Sequence, residues 1–103
     1  MSVEVVFTPW PYDAVARGVA LLDEKVPGWR ERIDIETLDI ESPQRCIVGQ
    51  PCGGYETAMR RFGLEPYGRG VGAHYGFLSP DNLDWQDQRL EDAWREAIAG
   101  GAK

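Results

Sequence analysis

The sequence predicts a mostly α fold, a compact bundle of four or five short helices, with at most a minor N-terminal strand or hairpin. Two stretches, one toward each end of the chain, repeat apolar residues at helical spacing. Prolines and glycines fall between the apolar sets, where helix ends are expected. Residues 3–7, with Val3, Val5, Val6 and Phe7, read as a short strand, and Pro9 and Pro11 confine it to an edge or a docked arm.

In the first helix, Asp13 is placed to cap, and Val15, Val19, Leu22 and Val26 form one buried stripe that stops at Pro27–Gly28. Trp29 and Ile33, four apart, extend a further turn over the core, with Arg30, Glu31 and Arg32 toward water. Ile35, Leu38 and Ile40 follow neither a strand nor a helix period, which predicts an irregular turn. Ser42–Pro43 is a helix start, because the hydroxyl can accept an orphan N–H and proline loses nothing at the first helical position. Cys46, Ile47 and Gly49 then belong to a short buried helix ending near Pro51 and Gly53–Gly54.

Tyr55 to Phe62 reads as another helix, with Ala58, Met59 and Phe62 inward and Gly63 as a left-handed cap. From Glu65 to Phe77 the glycines predict a long loop or a poorly formed strand. Ser79–Pro80 opens the last helix, Asp81, Asp84 and Asp87 suit its positive end, and Leu83, Leu90, Trp94, Ala97 and Ile98 make its buried face until Gly100 and Gly101.

At 103 residues the chain fits a single domain over 1–103, with 1–12 as an arm or edge strand and 13–99 as the helical body. Apolar residues make up 43%, which argues against global disorder. A net charge of -6, from 17 acidic and 11 basic side chains, disfavours direct nucleic-acid binding, which needs clustered Lys and Arg. The same charge suits a partner with a basic surface, or a mimic of nucleic acid. The N-terminal apolar run lacks a basic lead and ends at Pro9, and no window approaches a membrane span, so no membrane association and a cytoplasmic setting are expected. Two cysteines, Cys46 and Cys52, are few for a secreted scaffold, so reduced thiols are expected.

No cofactor or metal is expected. Cys46, Cys52 and His74 lack the close ligand pairs of structural zinc sites. GRGVGAHYG matches neither the dinucleotide fingerprint nor the Lys-bearing phosphate loop. Cys46 could serve as a nucleophile with His74 as base, but a cysteine beside Ile47 and Val48 reads as a small buried hydrophobe. The carboxylates of DNLDWQDQRLED read as the solvated side of a helix. The aromatic surplus of four Trp, four Tyr and three Phe is the stronger signal, because Trp and Tyr anchor protein interfaces. The candidate interaction surface is Trp10, Tyr12, Tyr67, Tyr75 and Trp85, set against the reading in which arm and loop fold down as a cover.

The order LLDEKVPGW, ERIDIETLDI, RCIVGQ and a closing EDAWREAI resembles a family of small uncharacterised proteins found in actinobacterial phages and their hosts. The resemblance runs from Ala14 to Ile98 and rests on Leu22, Asp23, Pro27, Gly28, Trp29, Ile33, Asp34, Leu38, Asp39, Cys46, Gly49, Gln50 and Trp94. Typical members lack the arm Val3 to Tyr12 and Cys52. The resemblance implies a phage or prophage accessory protein in a bacterial cytoplasm and no catalytic residue. The expectation is a non-enzymatic interaction module modulating an unknown host protein, with a homodimer open. The alternative is a small hydrolase or ligand-binding protein using Cys46, His74 and the Gly68–Gly76 loop.

Overall fold

The computed structural model describes residues 10–101, and the strand expected over residues 3–7 lies outside them. The described elements are helical: α1 (Tyr12–Lys25), a 3-10 turn (Trp29–Arg32), α2 (Gly49–Cys52), α3 (Tyr55–Arg61), α4 (Gly70–His74) and α5 (Asp84–Gly101). No strand occurs among the described residues, and the fold is the small, mostly α bundle that the apolar spacing predicts.

α1 buries Val15 and Leu22 as its stripe requires, and its close partner is α5. Gly18 makes that approach possible, because a side chain there would strike the Tyr75 carbonyl and the Trp94 ring. Pro11, not Asp13, precedes the first turn; its carbonyl accepts the Val15 N–H at 2.9 Å, and Asp13 sits one residue inside the helix. After Lys25 the chain reverses at Gly28, whose φ of 82° is the left-handed region where a side chain is strained. That reversal drops Trp29 into the core, with its Nε1 donating to Asp23 Oδ1 at 2.8 Å.

Trp29 meets Trp94 edge to face at 5.7 Å, Trp94 stacks on Phe77 at 6.2 Å, and Phe77 stacks on Tyr75 at 5.9 Å. Trp94 Nε1, fully enclosed, donates to the Gly76 carbonyl at 2.6 Å. Each such ring pair contributes about 0.5–1.5 kcal/mol beyond its buried area, against about 0–1 kcal/mol for an exposed ion pair. The aromatic spine therefore outweighs the surface charges in holding the 3-10 turn and the segment after α4 against α5. Much of the aromatic surplus is spent here.

The segment between the 3-10 turn and α2 is irregular, as its mixed period predicts, and Leu38 and Ile40 pin it to the core. Asp34 Oδ1 accepts the Glu36 N–H at 3.0 Å and Asp39 Oδ1 the Glu41 N–H at 3.1 Å, which replaces ladder bonds with side-chain ones. Ser42 Oγ accepts the Arg45 N–H at 3.2 Å, but only turns follow, and the helix starts at Gly49 rather than near Pro43. Gly49 is packed against the Pro43 carbonyl, so the chain doubles back on itself before a longer helix can form.

Two other expectations are corrected. The glycine-rich stretch is not a loop throughout, because Gly70–His74 forms α4. Gly72 faces the Tyr55 hydroxyl and Gly76 the Ala14 backbone, so these glycines permit close packing where the composition suggested slack. α5 begins at Asp84, after Ser79–Pro80, which leaves Leu83 outside the helical register and exposed. Gln86 takes the inward place and pairs with Asp81, accepting its N–H at 2.9 Å and donating to its carboxylate at 3.1 Å. Gly100 and Gly101 are the last residues of α5, as expected, and Gly100 has open space around it and no left-handed φ.

Candidate interaction surface

Cys46 lies in the core, its Sγ accepting the Gly49 N–H at 3.3 Å, and burial pushes the thiol up from its ordinary value. A buried thiol held neutral is a poor nucleophile. The cleft that Cys46 helps to line is walled by Ile40, Pro43, Tyr55, Pro66, Arg69 and Leu78, and His74 is not part of it. His74 is exposed at the end of α4, with its ring edge-on to Tyr75 at 4.9 Å and its carbonyl accepting from Arg17 Nε at 2.7 Å. The fold places the two residues in different surroundings. No three His, Cys, Asp or Glu side chains gather as metal ligands among the described residues.

The five aromatics divide into three places. Trp10 is half-buried and meets the Trp85 ring edge to face at 6.3 Å. Tyr12 is 53% exposed, Trp85 58% and the neighbouring Leu83 44%, so the ends where α1 and α5 begin leave three large apolar side chains in water. Tyr67, 64% exposed, lies apart with its hydroxyl accepting from Arg60 Nη2 at 2.8 Å. Tyr75 is half-buried in the spine, stacked on Phe77. Leu83 was hidden from sequence reasoning because its spacing matched the buried face of α5.

From Tyr12 a groove of about 500 Å³ runs between α1 and α5, lined by Val15, Ala16, Val19, Ala20 and Asp23 on one side. Ala93, Glu96 and Ala97 line the other, and Arg30 closes the far end. Arg30 Nη1 lies 3.2 Å from Asp23 Oδ1 and the guanidinium 4.6 Å from the centre of the Trp29 ring, while its buried Nε has no hydrogen-bond partner. Short alanine side chains on both helices keep the floor open, which the heptad-like stripe of α1 did not announce.

A polar cluster ties the head of α5 to the loops. Arg69 donates to the Ser79 carbonyl at 2.9 Å and to Glu41 Oε2 at 2.9 Å, while the buried Ser79 hydroxyl donates to Asp87 Oδ1 at 2.6 Å. Burial, opposed by Arg69 and reinforced by Asp87, raises the Glu41 carboxyl above its ordinary value. These groups satisfy one another, and their arrangement fastens the segment that presents Leu83 and Trp85. No helix among the described residues is long and apolar enough to cross a membrane. No protein-family model, curated protein or solved structure matches the chain.

Proposed function

We propose that the protein is a non-enzymatic interaction module that docks on a partner protein through the face where α1 and α5 begin. The exposure of Tyr12, Leu83 and Trp85 carries this reading, with Trp10 bracing the Trp85 ring. Large aromatic side chains with few torsions lose little entropy on binding and are the usual anchors of interfaces. The resemblance to phage proteins supplies the setting: an accessory protein, encoded by a phage or prophage, acting on a host protein in the bacterial cytoplasm. Burial of Cys46 and the outward place of His74 weigh against the hydrolase alternative.

The test replaces the patch without touching the core. Tyr12→Ser should change stability by no more than about 0.5 kcal/mol, as surface substitutions do, and Trp85→Ser by about 0.5–1.5 kcal/mol because it also loses the Trp10 ring contact. Both should abolish recovery of the partner when a photo-crosslinking residue at position 83 is activated in the natural host. Recovery that is unchanged in both variants, or absent from the unmodified protein, would refute the reading.

A further inference from the structure

We infer that the groove between α1 and α5 receives one basic amphipathic helix of the partner, an inference that rests on the interaction reading above. Its floor pairs Ala16 and Ala20 of α1 with Ala93 and Ala97 of α5. Side chains four apart lie on one face of a helix, so both walls present methyl groups along a common line. α1 has 14 residues, which at 1.5 Å per residue is about 21 Å, room for four turns of a docked helix.

The occupant's secondary structure follows from hydrogen bonding. A strand docks by completing the ladder of an exposed sheet edge, and no strand exists among the described residues to offer one. A helix satisfies its own backbone and needs only side-chain contacts, which a trough of alanines and valines provides.

Charge selects the sign of its flank. The outer nitrogens of the nearby cations are engaged, Arg30 Nη1 with Asp23 and Arg17 with Asp13 and the His74 carbonyl, and the Arg30 Nε that lacks a partner is buried away from the surface. Glu96 lines the groove and forms no ion pair or hydrogen bond among the described residues, in a chain of net charge -6. A lysine or arginine beside the apolar stripe of the incoming helix completes that carboxylate, and an acidic flank meets repulsion.

The experiment uses the full chain and three labelled 18-residue helical peptides: an Ala/Leu stripe flanked by lysines, the same stripe flanked by glutamates, and a scramble of the first. Fluorescence anisotropy should show the lysine peptide binding at least about tenfold more tightly than the glutamate one, a preference that shrinks at high salt as screening predicts. The preference should vanish or reverse in Glu96→Lys, and methyl NMR signals of Ala16 and Ala97 should shift on binding. Equal affinities, binding by neither peptide, or shifts confined to Trp85 would overturn the inference. So would a concentration-dependent dimer in light scattering that Ala97→Arg dissolves, since a second copy then fills the groove. If Trp85→Ser abolishes capture of the partner while Glu96→Lys and Ala97→Arg leave it intact, the inference falls and the interaction reading stands. If the unmodified protein captures nothing, both fall.

Discussion

Gln50 grips Asp34 at both ends of its backbone, Oε1 accepting the Asp34 N–H at 2.6 Å and Nε2 donating to the Asp34 carbonyl at 3.2 Å. The same Nε2 donates to the Arg45 carbonyl at 2.9 Å. One side chain thus does for the irregular segment what a neighbouring strand does in a sheet. Truncating Gln50 to Ala should cost about 0.5–1.5 kcal/mol, because both Asp34 groups lose their partner at once but are exposed to water. Chemical denaturation would measure it; a loss within error would mean that water replaces the amide.

Gly49 and Gly70 should respond in opposite directions to the same substitution. A methyl group at position 49 meets the Pro43 carbonyl oxygen, which is backbone and cannot swing away. Gly49→Ala should therefore destabilise by about 1–3 kcal/mol. Gly70 has open space and no left-handed φ, so Gly70→Ala should gain about 0.4–1 kcal/mol by restricting the unfolded chain. Thermal unfolding of the two variants side by side checks both signs.

Tyr55 carries a buried hydroxyl with no hydrogen-bond partner, and burial, helped by Cys46 and opposed by Arg69, holds its pKa up at about 12. Removing an unsatisfied hydroxyl recovers its desolvation cost, so Tyr55→Phe should be neutral or stabilising by up to about 1 kcal/mol. A loss of more than that in a denaturant titration would reveal a partner for the hydroxyl in solution.

Glu41 should make stability fall as pH rises. Its folded carboxyl titrates above the ordinary 4.5, chiefly because it is partly buried and faces Asp87, so the folded state holds its proton more tightly than the unfolded chain. The contribution is full below the ordinary value and is lost as pH climbs through the folded one. Glu41→Gln keeps an oxygen for Arg69 and cannot ionise. Its unfolding midpoint should rise relative to the parent between acid and neutral pH, and a gap that stays constant across that range would contradict the account.

The residues behind the family resemblance acquire plain mechanical roles. Asp23 receives the Trp29 indole, Gly28 turns the chain, Asp34 and Asp39 bond to N–H groups two residues on, and Gly49 and Gln50 close the bend. Such roles are visible in a sequence when the partner is a few residues away. The stripe of α1 and the Gly63 cap of α3, where the Leu64 N–H donates to the Met59 carbonyl at 2.8 Å, were legible for that reason. α4 was not, since five residues held by packing against Tyr55 and α1 leave no periodic trace.

The chain's own order of apolar, capping and turn residues determined that it would be helical, where α1 and α3 would stop, and that Trp29 and Trp94 would be available for a core. Those are properties of neighbours along the backbone, governed by helical period and local hydrogen bonds. Only the tertiary structure decided that Cys46 and His74 would stay apart, that Trp10 would brace Trp85, and that α1 and α5 would leave an alanine-floored groove beside Glu96. Each depends on which helix faces meet, a choice set by Gly18 admitting the Trp94 ring and by the aromatic spine, across separations that no local pattern encodes.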